Sequence, residues 1–248
     1  AYDLQAWEQL YGPDPDHALA SRSVVEGQAT YAQFRVVYAM SGYDLRRVDL
    51  SSELDEFRER LFKSAHADAS PYLASLTTFP YATGVGAAQH HWSPTGLHFA
   101  ASQFDEPPLS TLQALSESYA LELPDPEPLE LSAPTLDADY TVIDESVLGA
   151  FMLELFLFKQ GFSAELARSL ALDWRADKLW IYSGPNERSA FLWEVQLRDD
   201  DFARLDLVDA PPPGVVREHS GSRLFVAGSD APPEFVLAAG RRFLNDSP

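Results

Sequence analysis

Residues 122 to 139 divide the chain into two patterns. They run Glu-Leu-Pro-Asp-Pro-Glu-Pro-Leu and onward, acidic and rich in proline. Prolines at that density hold the backbone extended and remove amide donors from any helix or sheet, so the stretch reads as a linker. Before it, apolar residues recur at helical spacing. After it, helical stretches alternate with short runs rich in aromatic and β-branched residues. The predicted fold class is therefore α+β, with a mainly helical subdomain at 1–121, the linker at 122–139, and a smaller α+β domain at 140–248.

In the first part, a helix is predicted from about His17 to Met40, after the turn Gly12-Pro-Asp-Pro-Asp16, with Asp14 or Asp16 as its cap. Val25, Ala29, Ala32, Val36 and Val37 give it an apolar side. A second helix is predicted from Glu53 to about His66, with acids early and Arg58, Arg60 and Lys63 late, as the helix dipole favours. Phe79-Pro80-Tyr81-Ala-Thr-Gly84-Val-Gly86 leads into another, ending near His90-His91-Trp92, and Ser93 to Gly96 reads as a turn. Ala82, Gly84, Gly86, Ala87 and Ala88 imply close helix packing, because glycines in a helix cost stability that packing or function must offset. Leu97 to Phe104 reads as a short helix, and Ser110-Thr111 begins one more, through about Tyr119.

In the second part, Asp144 is predicted to cap an apolar helix ending at Lys159, with Gly161 closing it, and Ser163 to start another to about Leu172. Lys178 to Tyr182 and Ser189 to Leu197 read as strands around Gly184-Pro-Asn-Glu187. Asp199 to Leu207 and Pro232 to Leu244 read as helices, and Val215 to Glu218 with Arg223 to Ala227 as a hairpin.

Composition excludes several functions. A chain that is 46% apolar is too hydrophobic to stay disordered. Its net charge of −20 leaves no basic surface to displace counterions, so nucleic acid is not a partner, and an anionic membrane surface is disfavoured for the same reason. Cysteine is absent, which removes disulfides and thiolate chemistry. The longest apolar run, Val147 to Phe158, is interrupted by Glu154 and is too short for a transmembrane segment. Gly-x-Ser-x-Gly is missing, so no nucleophile elbow supports a serine hydrolase. Gly84-Val-Gly86 lacks the rest of a dinucleotide loop.

Two stretches carry possible chemistry. Glu26 sits in Val25-Glu26-Gly27-Gln28-Ala29-Thr30, an acid among small residues that would let another group approach closely. The plainer alternative is a surface acid paired with Arg22 one turn earlier. Tyr81 sits in Phe79-Pro80-Tyr81-x-x-Gly84, and its alternative is a core tyrosine with a bonded hydroxyl. His90 and His91 are adjacent, hence about 100° apart on a helix and poorly placed to chelate one ion; they read as residues of a helix C-terminus.

Taken in order, Glu-Gly-x-Ala and then Pro-Tyr-x-x-Gly resemble gluzincin zinc metallopeptidases, and in particular a bacterial, usually exported family of mostly uncharacterised gluzincin-like proteins. Tyr2-Asp3-Leu4, Val25 to Thr30, Phe79 to Gly84, Pro107-Pro108-Leu109-Ser110-Thr111-Leu112-Gln113, Leu148-Gly149 and Asp173-Trp174-Arg175-Ala176-Asp177-Lys178 match that family's pieces in sequence order. The resemblance implies a zincin-type subdomain, with Glu26 as a zinc ligand and Tyr81 as the catalytic donor to the oxyanion. It implies a peptide or protein substrate and an extracytoplasmic or secreted bacterial location. The other two ligands would be the histidines of an upstream His-Glu-x-x-His helix. That motif does not occur in this sequence, which opens at Ala1 without a starter Met. The expectation is therefore a downstream fragment that holds no zinc tightly and is inactive alone. The chain departs from the family at Ser116-Glu117, Ala150 and Arg175-Ala176. Those departures leave open a non-catalytic binding or structural protein on the same scaffold.

Overall fold

The computed structural model describes residues 14–63, 71–95, 103–104, 107–118, 133–136, 139–199 and 215–229. Helix α1 spans Pro15–Met40, α2 Ser51–Lys63, α3 Pro71–Thr95 and α4 Thr111–Ser118. Strand β1 (Thr141–Ser146) precedes α5 (Gly149–Lys159) and α6 (Ala164–Leu172). Then come β2 (Trp174–Ser183), β3 (Ser189–Leu197), β4 (Val215–Ser220) and β5 (Arg223–Ser229). The strands form one antiparallel sheet in the order β1-β2-β3-β5-β4. The chain is α+β, helical first and mixed afterwards.

Several boundaries differ from the sequence reading. Helix α3 begins at Pro71 and carries Phe79-Pro80-Tyr81 in its interior, whereas the sequence pointed to a start after that segment. A mid-helix proline removes one hydrogen bond; Pro80 is buried, and packing of that face outweighs the loss. The predicted turn at Ser93 is also mostly helix, to Thr95. Asp144 caps no helix: it lies in β1, and α5 starts at Gly149 after Leu148 in the N-cap position. Ser163 caps α6 as predicted, accepting a hydrogen bond from Leu166 N at 3.2 Å. β3 has its predicted bounds, and the β4–β5 hairpin forms where expected, each strand slightly longer. The helices predicted at 199–207 and 232–244 lie outside the described residues, as does most of the one at 97–104.

The predicted apolar side of α1 is not the side that packs. Ala29, Val36 and Val37 are exposed, while Leu19, Ala20, Val24, Gly27, Gln28 and Tyr31 are buried. Small residues let two backbones come together, and that contact wins over the larger side chains. The crossing partner is α3. A Cβ on Gly27 would fall inside the Gly84 backbone, and one on Gly84 would fall on the Ser23 carbonyl. Further along, the Tyr31 and Trp92 rings meet edge to face at 5.7 Å. The contacts advance together along both helices, so α1 and α3 run in the same general direction.

One buried cluster runs through the described residues from the first helix to the sheet. It takes Leu19 and Ala20 from α1, Phe79 from α3 and Leu112 and Leu115 from α4. It continues through Phe151 and Leu155 of α5 to Trp193 and Val195 of β3. Phe79 and Phe151 stack at a tilt, 4.2 Å between centroids. The helices before the predicted linker and the sheet after it thus share a core. The linker's later part belongs to the fold: Ala133 and Leu136 pack on the sheet's far side against the cluster of Trp180, Tyr182 and Leu192. Tyr182 donates from its hydroxyl to the Pro134 carbonyl at 2.9 Å. Residues 122–132 lie outside the described residues.

Candidate functional site

Glu26 and Tyr81, far apart in sequence, come together where α1 crosses α3. Gly27 follows Glu26 directly, and Gly84 lies one turn after Tyr81, so the close crossing at the two glycines puts the acid beside the phenol. The Glu26 carboxylate holds the Tyr81 pKa above its ordinary value, first by its negative charge and then by accepting the phenol's hydrogen bond; Arg22 nearby works the other way. Tyr81 is 38% exposed, so the reading as a core tyrosine fails. Glu26 is half-buried. The site thus contains a carboxylate and a phenol that stays protonated at neutral pH, on a surface open to a ligand.

The surface beyond the pair is largely apolar. Val37 and Met40 of α1 are exposed, and Phe34 is 37% exposed. Together with Ala29 they continue the Glu26 side of the helix toward its C-terminus, with the exposed Gln33 as a polar interruption.

The histidines do not join this site. His91 Nε2 lies 3.3 Å from Glu117 Oε2, while the exposed His90 ring stands edge-on to it. Glu117 also accepts from Gln103 Nε2 at 2.8 Å. Gln103 in turn accepts from Gln28, which accepts from the Trp92 indole. His91 therefore belongs to a polar chain that ties α1, α3 and α4 together. His98 lies outside the described residues. Among the described residues, no group of three or more His, Asp or Glu is placed to hold a metal ion. Glu26 offers one hard oxygen donor, which fits one arm of a zinc site and no more.

A second polar cluster centres on the buried Asp16, Thr111 and Asp177, and the sequence reading gave it no role beyond a helix cap at Asp14 or Asp16. Asp16 accepts from the Thr111 amide at 2.9 Å and from the Thr111 hydroxyl at 2.5 Å. The same hydroxyl oxygen accepts from Phe151 N at 3.1 Å. Asp177 accepts from Leu148 N at 2.8 Å, Gly149 N at 2.6 Å and the Trp174 indole at 2.9 Å. Asp14 sits at the N-cap position of α1, but its carboxylate accepts from Val147 N at 3.2 Å instead of capping the helix. Burial raises Asp16 to about 7 and Asp177 to about 6, against the hydrogen bonds that favour their ionised forms.

This cluster accounts for most of the matched pieces outside Glu26 and Tyr81. Ser110-Thr111, Leu148-Gly149 and Trp174 to Asp177 all converge on it, as one clasp holding the starts of α1, α4 and α5 to β2. Gly149 has φ +82°, and a Cβ there would strike the Asp16 carboxylate. A register shift between Trp174 and Ala176 lets Trp174 and Asp177, three residues apart, face the same side. The sequence signal was present as matched segments, but nothing in their spacing showed that they meet.

Comparison with protein-family models, with curated proteins and with solved structures finds no match.

Proposed function

We propose that this chain is the downstream part of a zinc-dependent metallopeptidase-like protein, with Glu26 as one zinc ligand and Tyr81 as the donor to the developing oxyanion. The observation that supports it is the Glu26–Tyr81 pair itself: two residues chosen for separate roles by resemblance stand together at a helix crossing. A phenol suits the donor role because it can point at developing charge while remaining neutral. The uncovered apolar side of α1 around Glu26 gives a His-Glu-x-x-His helix a surface to pack on. Zinc, when bound, supplies the Lewis-acid chemistry of this class. The zincin-type subdomain, the peptide substrate and an extracytoplasmic location belong to the same reading, and the 140–248 segment serves as its accessory part.

The test is a protein that carries the upstream helix as well as this chain. Glu26→Ala should lose zinc. Tyr81→Phe should keep zinc and lose about 100- to 1,000-fold in peptide hydrolysis. Unchanged zinc content in Glu26→Ala would show the ligand assignment to be wrong. Stoichiometric zinc on the present chain would equally overturn the claim that it holds none tightly.

The second reading is a non-catalytic protein on the same scaffold, favoured by the departures from the family pattern. Ala150, Ser116 and Ala176 are all buried, and Ala150 belongs to the shared core. An upstream segment without the two histidines would decide for it.

A further inference from the structure

On the far side of the sheet, charged side chains form a row across four neighbouring strands: Glu145 on β1, Lys178 on β2, Glu194 on β3 and Arg223 on β5. The register sets their spacing. Lys178 pairs directly with Glu194, so the two side chains leave the same face with Cβ atoms about 5 Å apart. Glu145 stands opposite Trp180 and Glu194 opposite Phe225, which puts Glu145 and Arg223 on the diagonals.

Lys178 thus lies between two acids, and it is bound to the more exposed one. Its Nζ is 3.0 Å from Glu145 Oε2, and the Glu145 side chain is 46% exposed. Glu194 is buried, and Arg223 serves only one of its oxygens: Nε donates to Oε1 at 2.6 Å, and Nη2 donates to the same atom. The other oxygen, Oε2, is buried without a hydrogen-bond partner. An exposed ion pair contributes little, whereas a buried ionised oxygen with no donor is costly. The contacts therefore suit a Glu194 that carries a proton, and burial does raise its pKa to about 7 against the pull of Arg223.

Ionisation puts full charge on Oε2. Lys178, directly opposite on a flexible four-carbon stem, is the cation in reach. Among the described residues, the other titratable groups placed on this face are Tyr140 and Tyr182, whose hydroxyl donates to the Pro134 carbonyl. Glu218 of β4 holds the register position opposite Phe225. None of these supplies a positive charge.

We infer that Lys178 is a two-position contact governed by Glu194: with Glu194 protonated it ties β2 to β1 through Glu145, and with Glu194 ionised it turns to Oε2, ties β2 to β3 and releases the edge strand. β1 leads directly into Val147 and Leu148, whose amides donate to Asp14 and Asp177. The release therefore acts on the strand that feeds the buried clasp. Glu26, Tyr81 and zinc play no part in it.

The experiment uses NMR on the 248-residue chain, which contains three lysines, Lys63, Lys159 and Lys178. Isotope-labelled lysine then gives three Cε signals, and Lys178→Met identifies the one in question. Labelled glutamate follows the Glu194 carboxyl, identified by Glu194→Gln. As pH rises through neutrality, the Lys178 signal should step together with the Glu194 carboxyl while the other two lysines stay still. Lys178→Met should move the Glu194 midpoint up, because the ionised acid loses its second donor. Glu145→Gln should move it down by about 0.2–0.7 pH unit, the strength of an exposed pair expressed as a titration shift, because Lys178 no longer has a partner to leave. In the Lys178→Met background, Glu145→Gln should move it much less. Glu145 and Lys178 are partly exposed, so these variants keep the fold even where Glu194→Gln does not. A Lys178 signal that stays in place through the Glu194 transition would overturn the inference. So would a Glu145→Gln shift of equal size with and without Lys178, or a Glu194 that titrates like an exposed acid.

Discussion

Gly27 and Gly84 meet backbone to backbone, and that contact sets the distance between Glu26 and Tyr81. Neither position has room for a methyl group. Gly27→Ala or Gly84→Ala should force α1 and α3 apart and destabilise the chain by about 1–3 kcal/mol, the usual cost of overpacking a tight contact. Each glycine already costs some helix propensity, so a substitution that gained stability would show that the crossing is loose. Chemical denaturation of the two variants measures this directly.

The same crossing predicts a titration. Glu26 raises the Tyr81 pKa by charge and by hydrogen bonding, and Arg22 lowers it. Glu26→Gln should therefore bring the Tyr81 pKa down, and Arg22→Ala should push it further up. A tyrosine ring carbon labelled at Cζ reports the ionisation of Tyr81 by NMR. A Tyr81 curve that does not move in Glu26→Gln would place the two groups apart in solution.

Much of the fold was legible from local chemistry, and the exceptions have one cause. Ser163, β3 and the β4–β5 hairpin are local matters of capping, alternation and turn residues. The misread side of α1 and the proline inside α3 were decided by a partner helix that no local pattern identifies. Glu26 and Tyr81 could be named because each sits in a short patterned segment. Asp16 could not be given its role, because its partners Thr111, Gly149 and Asp177 lie on three other elements. A buried aspartate in a first helical turn looks like an ordinary cap until its partners are known.

The buried clasp makes stability depend on pH with an unusual sign. Asp16 is raised from 3.8 to about 7 and Asp177 from 3.8 to about 6, both by burial. The folded chain therefore binds more protons than the unfolded chain between roughly pH 4 and these values. The stabilisation is fully present below the unfolded pKa and is lost as pH rises through the folded pKa. Each group can cost up to about 1.4 kcal/mol per pH unit across its own window. Glu194, raised to about 7 by burial despite its ion pair with Arg223, adds in the same direction. Unfolding free energy should thus fall from pH 4 toward pH 7 on account of these three acids. Asp16→Asn should flatten its share of that slope; an unchanged slope would mean that Asp16 ionises like an exposed acid.

Two glycines with nearly the same backbone angle separate strain from crowding. Gly42 has φ +81° and open space where a Cβ would stand, while Gly149 has φ +82° and the Asp16 carboxylate in the way. Alanine at Gly42 should cost about 1 kcal/mol, the left-handed penalty alone. Alanine at Gly149 adds a clash at the centre of the clasp and should cost about 2–4 kcal/mol. Similar losses at the two sites would mean that the start of α5 shifts easily, and that Asp177 does not hold it.

The Phe79–Phe151 contact joins the helices before the linker to the helix beside the sheet. Both rings are buried, and their centroids are 4.2 Å apart. Removing either side chain leaves a cavity that neither half can close by itself, so Phe151→Ala should cost about 3–5 kcal/mol. A core shared this way also makes unfolding common to both halves. Helical circular dichroism draws mostly on α1 to α3, whereas Trp174, Trp180 and Trp193 lie in the sheet strands; Trp7 and Trp92 precede the linker, so fluorescence is read with both changed to phenylalanine. In Phe151→Ala the two signals should shift to lower denaturant together and stay coincident. If tryptophan fluorescence moved while the helical signal held, the two segments would fold as separate units, and the contact between the rings would be an incidental one.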